Sequence, residues 1–138
     1  MGQEELLVPK PLSAELDRLG LEFLVEILGV ELVRRPANDD ARSDLGHLLT
    51  RLGRHAEALL VDRELVRRAP ECETARYNLA CSLSLTGAID EAFAVLEQAI
   101  LLGYVDADQI AADDDLAALR PDPRFTALLV RLRSASMS

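Results

Sequence analysis

The chain has 138 residues, of which 49% are apolar and only 4% aromatic, and its net charge at neutral pH is −9. Its length suits one domain that buries a core without disulfides or metal, and an apolar fraction made mainly of Leu and Ala points to packed helices. The negative charge argues against nucleic acid as a partner, because that binding needs Lys and Arg against phosphates, and anionic membranes are disfavoured for the same reason.

Charge is unevenly placed. Residues 34–76 hold nine of the fifteen basic residues, all Arg, against eight acids, and both flanks are acidic. Read alone, this is the solvated surface of a soluble domain. Cys72 and Cys81 lie in neither a CxxC nor a zinc-ligand pattern, so free thiols in a reducing compartment are expected, with no metal. The N-terminus lacks the basic start and apolar core of a signal peptide, and Gly2 is followed by Leu6 where myristoylation wants Ser or Thr. The most apolar window, residues 21–33, is too short to span a bilayer and contains Glu22, Glu26 and Glu31. The expected location is cytoplasmic.

Residues 1–12 read as an arm in which Pro9 and Pro11 oppose a long helix, with Leu6, Leu7 and Val8 able to cover an apolar edge. Ser13 is a candidate N-cap for a helix starting at Ala14, where Leu16, Leu19, Phe23, Ile27, Val30 and Val33 recur at intervals of three and four. Gly20 divides this segment in two if it is a worn-down repeat, because Leu19-Gly20 precedes Leu52-Gly53 by the same offset that separates Glu31–Arg35 from Glu64–Arg68. Segment 13–38 is therefore expected to be a degenerate repeat or a capping helix. After Gly20 its polar stripe is narrow, so it needs cover on more than one side. Leu21, Leu24, Ile27 and Leu28 are the candidates for self-association there.

Segments 39–72 and 73–106 are near copies. Aligned without a gap they place Leu45 on Leu79, Gly46 on Ala80, Leu49 on Leu83, Gly53 on Gly87 and Ala58 on Ala92, at a constant offset of thirty-four residues. Each reads as a helix pair: 40–52 and 55–68 around Gly53, then 74–86 and 89–102 around Gly87, with Pro70 and Gly103 as stops. Beyond Gly103 the period fails. Helices are expected at 107–112, 114–119 and 124–132 within a capping segment 107–133, and residues 134–138 should fray. The acidic run from Asp106 to Asp115 lacks the alternation, central Gly and closing Glu of a calcium loop, so Asp113 to Asp115 read as helix caps.

In this period, these glycines and alanines, the two copies resemble the tetratricopeptide repeat, whose pattern asks for Trp, Leu-Gly, Tyr, Ala, a bulky apolar residue and Pro at set positions. Arg42 and Arg76 stand in place of Trp, Asp62 in place of the bulky residue, Leu65 in place of Ala, and Tyr104 in place of Pro. The tail, with Asp114-Asp115-Leu116, Leu119-Arg120 and Asp122-Pro123-Arg124-Phe125, resembles the closing segment of bacterial arrays of this repeat. The resemblance implies one all-α domain: a short right-handed α-solenoid of antiparallel helix pairs, with a degenerate N-terminal repeat and a C-terminal capping segment. It also implies a concave groove lined by Asp40, Ser43, His47, Thr50 and Arg51 from the first copy and by Thr74, Tyr77, Asn78, Cys81 and Ser84 from the second.

The function this implies is a non-catalytic scaffold or adaptor that holds a peptide or helical segment of another protein in the groove. Tyr77 would be the amphipathic anchor, with Arg51, His47 and Asn78 as polar contacts. Some relatives clamp a terminal carboxylate with Lys and Asn, but Ser43 and His47 stand at two of those positions here and only Asn78 fits, although Arg51 and Arg76 could still meet an acidic ligand. The alternatives are a homodimeric module built on residues 21–33 and a secretion-type chaperone. No catalytic residue or cofactor is nominated, because His47 and His55 lack a GxSxG or HExxH context and the glycines are isolated. A thiol sensor at Cys81 would need exposure and a cationic neighbour such as Arg76 or Arg51.

Overall fold

The computed structural model describes residues 9–137, which are helical and without strands. In order these are α1 (Lys10–Arg34), α2 (Asp39–Arg51), α3 (His55–Arg68), α4 (Glu73–Leu85), α5 (Ile89–Leu101), α6 (Ala107–Ala112), a 3-10 helix η1 (Asp114–Leu119) and α7 (Pro123–Ser136). Each of the first four packs on the next, α6 packs on α7, and η1 returns to lie on α4. No helix among the described residues is long and apolar enough to cross a membrane.

The turns follow from three glycines. Gly53, Gly87 and Gly103 have φ of 74°, 83° and 116°, which L side chains adopt at a cost, and each ends a helix. The Gly53 N–H donates to the Thr50 carbonyl and the next N–H, of Arg54, reaches back to Leu49 at 2.9 Å; the same pair of bonds recurs at Gly87 and Gly103. Several helix starts are capped by side chains. Asn38 accepts from the Ala41 N–H, Cys72 from Ala75, Asp106 from Gln109, and Asp113 from Asp115.

The structure corrects the N-terminal expectation. α1 is one unbroken helix through Gly20, so segment 13–38 is not divided there. Pro9 is its N-cap and Pro11 lies in its first turn, where a missing N–H costs nothing, and Ser13 is inside the helix rather than its cap. The arm residues 1–8 lie outside the described residues. At the other end α7 continues to Ser136, so residues 134–136, expected to fray, are helical.

The core is displaced toward the C-terminal half. Leu83, Leu96, Ile110, Leu116 and Leu119 are fully enclosed, and Phe125, Leu128 and Leu132 of α7 join them. Ala58, Ala80, Ala92 and Ala99, all at 0% exposure, let helix backbones approach closely. α1 buries no residue fully. Between α3 and α4 the contact is partly polar: the Ser82 hydroxyl donates to Asp62 at 2.5 Å, and Asp62 is only 4% exposed. The Asp62 carboxylate also fills the space where a Cβ on Gly46 would stand, 2.8 Å away.

Three arginines of the Arg-rich middle tie neighbouring elements together. Arg54 bridges to Glu22 at 3.0 Å, Arg68 to Asp39 at 2.5 Å and Arg63 to Glu91 at 2.7 Å. These pairs are solvent-reached, so each contributes little stability and serves mainly to set register.

Candidate functional site

One cavity of about 510 Å³ lies between α2, α4 and the closing segment. α2 supplies Gly46, His47, Thr50 and Arg51, and α4 supplies Thr74, Tyr77, Asn78, Cys81 and Ser82. Asp62 of α3 forms part of its wall, and Tyr104, Gln109, Asp113 and Asp115 complete it from the far side. Seven of the ten residues expected to line the groove therefore converge here. Asp40, Ser43 and Ser84 are not among the lining residues, and Ser84 is buried, its hydroxyl without a hydrogen-bond partner among the described residues.

The closing segment changes what α4 can offer. Because η1 lies on α4, Tyr77 and Cys81 are only 4% and 7% exposed. The Tyr77 hydroxyl donates to Asp113 Oδ2 at 2.6 Å, and its ring stacks on Tyr104 with centroids 4.0 Å apart and planes 7° from parallel. Tyr77 is thus engaged within the chain rather than free to anchor a ligand. Burial, followed by the Asp113 hydrogen bond, pushes its pKa well up, so it remains a donor.

Cys81 points at the same carboxylate, its thiol 3.9 Å from Asp113 Oδ2. Burial and then the charge of Asp113 push its pKa upward, which keeps the thiol protonated. That is the opposite of a reactive cysteine, which needs exposure and a cation. Ligand atoms of Cys81, Asp113 and Asp115 lie within 4.8 Å of one another. Asp113 is already occupied, however, accepting from Tyr77 and Cys81 through one oxygen and from the Asp115 N–H through the other. The group acts as a latch between α4 and the closing segment.

Two other carboxylates are disfavoured as charges by burial. Burial raises the pKa of Asp62, opposed by the Ser82 hydrogen bond and by His47. Burial raises that of Asp115 too, helped by Asp113 and opposed by His55 and His47. Asp115 is in no ion pair among the described residues, and neither is Arg51 on the opposite wall. Arg76, expected to be able to meet an acidic ligand, instead donates to the Pro70 carbonyl and to Gln98.

Sequence reasoning missed Asp62, Tyr104, Gln109, Asp113 and Asp115 as lining residues. A signal for two of them was present: Asp62 and Tyr104 are both departures from the repeat pattern, and both end in the cavity wall. No protein-family model matches the chain, and neither a curated protein nor a solved structure matches it significantly.

Proposed function

We propose that the chain is a non-catalytic protein-interaction module built as a short tetratricopeptide-like solenoid, and that its cavity holds a partner segment through a basic side chain. The observation that carries this reading is the pair Asp62 and Asp115, whose charged forms are disfavoured by burial at a cavity wall and which no Lys or Arg meets among the described residues. Carboxylates in that position gain from an incoming cation. Asn78, Thr50 and Thr74 offer donors and acceptors for a backbone passing alongside, and Arg51 stands opposite to receive a carbonyl or acidic group. The thirty-four-residue offset, the recurring glycine turns and the serial packing of α1 to α5 support the solenoid. A thiol kept protonated and a tyrosine already engaged supply no activated nucleophile, which favours binding over catalysis.

The test is selection of random displayed peptides on the immobilised full chain, followed by fluorescence anisotropy of the enriched sequences. Peptides with Lys or Arg at a fixed position should emerge. Their affinity should fall at least about tenfold in Asp115→Asn and stay unchanged in Leu60→Glu, a substitution on the exposed face of α3. Selection of acidic peptides, or binding indifferent to Asp115→Asn, would overturn the reading.

A further inference from the structure

α1 has two apolar faces, and among the described residues α2 is the helix it packs on. Leu21, Val25, Leu28 and Leu32 recur at four, three and four residues and are half-buried on the side of α2. About half a turn away run Leu12, Leu16, Leu19, Phe23, Val30 and Val33, with Glu26 completing a strict alternation of four and three. All six are exposed, from 51% at Leu12 to 83% at Val33, and Ile27 beside them is 47% exposed. The stripe runs along most of the helix, about 32 Å at 1.5 Å per residue.

We infer that two copies of the chain pair through this seam, α1 against α1 and antiparallel, about a twofold axis beside Phe23. Three features favour a second copy as occupant. A seam repeating every seven residues with apolar positions four and three apart is what a supercoiled helix partner requires, and a twofold axis makes one such seam complementary to itself. Its exposed apolar surface, on the order of 800 Å² for seven side chains at roughly half exposure, is the area each partner contributes to a stable interface. The charges set the direction. Parallel pairing would place Glu26 against Glu26 within the seam. Antiparallel pairing sets Glu26 opposite Leu19 and Leu12 opposite Val33 on the other copy. The pairing stands independently of the cavity reading. It also differs from the self-association candidates of the sequence: Leu21 and Leu28 are half-buried toward α2, Leu24 lies to one side, and Ile27 alone borders the seam.

Sedimentation equilibrium of the full chain over a hundredfold concentration range tests it. The expected mass is twice 15.1 kDa. Phe23→Glu and, separately, Leu16→Glu should each weaken the dimer at least about a hundredfold, since the axis repeats every lesion, while far-UV circular dichroism stays that of the parent. Leu60→Glu should leave the dimer intact. Joint Leu12→Cys and Val33→Cys should cross-link between copies on oxidation, and Leu12→Cys alone should not. A monomer at every concentration, with the seam covered by residues 1–8 or by nothing, overturns the inference. So does a dimer unmoved by both folded glutamate variants, or efficient cross-linking through Leu12→Cys alone.

Discussion

Tyr77→Phe measures how firmly the closing segment is held on α4. The substitution deletes one oxygen and keeps the ring stacked on Tyr104, so it isolates the 2.6 Å hydrogen bond to Asp113 from the packing around it. A hydrogen bond to a charged acceptor contributes about 1.5–3 kcal/mol net. Asp113 is half-buried and keeps only the weaker Cys81 thiol on that oxygen, so water compensates in part and the lower half of the range applies. The expected loss is about 1.5 kcal/mol in urea unfolding at pH 7, or roughly 5 °C in Tm for a chain of this size. Asp113→Asn retains the cap acceptor for Asp115, and combining it with Tyr77→Phe should cost about 1 kcal/mol less than the two single losses added together. The pH dependence has a definite sign. The folded tyrosine binds its proton more tightly than the unfolded one, whose pKa is near 10.0, so the contribution is constant below pH 10 and is lost as pH rises above it. Tyr77→Phe should flatten that alkaline decline. Single losses below about 0.3 kcal/mol, or strict additivity, would refute the latch.

Asp62 gives the opposite pH sign to an ordinary carboxylate. Its folded pKa is raised by burial, so the folded state binds more protons just above pH 3.8, and this residue's unfavourable contribution at neutral pH is relieved as pH falls toward that value. Asp62→Asn should therefore stabilise the chain by about 1 kcal/mol at pH 7 and lose that advantage by pH 4, as read by urea unfolding at both values. Gly46→Ala would set a Cβ 2.8 Å from the Asp62 carboxylate and should cost about 1–3 kcal/mol; in an Asp62→Ala background, thermal melts should show most of that loss removed. Gly20→Ala and Gly87→Ala should move Tm in opposite directions. Gly20 lies inside α1 with open space at its Cβ position, so alanine should gain about 1 kcal/mol, whereas Gly87 at φ 83° should lose about 1–2.

The middle of the chain was legible because its signals are local. The expected helices 40–52, 55–68, 74–86 and 89–102 differ by at most one residue at each end from α2 to α5, since glycines able to take positive φ fix the stops. The closing helices at 107–112 and 114–119 were equally readable, whereas α7 ends four residues later than expected. Where they dock was not readable: the latch joins Asp113 to residues 32 and 36 positions away, and no local pattern encodes that return. This is why Tyr77 read as an open anchor and Ser84 as a groove residue, although both are buried. At the N-terminus the error came from treating Gly20 as a stop by analogy with Gly53. A glycine inside a helix costs only about 1 kcal/mol, and a long apolar helix with α2 along one side can bear it.

The two ends of the helical row differ in a way that bears on assembly. At the C-terminal end, α7 turns Phe125, Leu128, Leu129 and Leu132 into the core and shows Arg131 and Arg133 to water, where they pair with Glu97 and Asp108. That is how a stack of helices ends without association: the last element is amphipathic, with its polar face outward. α1 reverses the arrangement. It buries nothing fully, and its outward face carries Leu12, Leu16, Leu19, Phe23, Val30 and Val33. The same chain thus closes one end with a polar face and a carboxylate latch and leaves an apolar seam at the other. Burying a seam of that length would gain more than the two interior glycines of α1 cost, which favours something that covers it. A second α1 does so with no further component, and it leaves the cavity on the far side of α2 open in each copy.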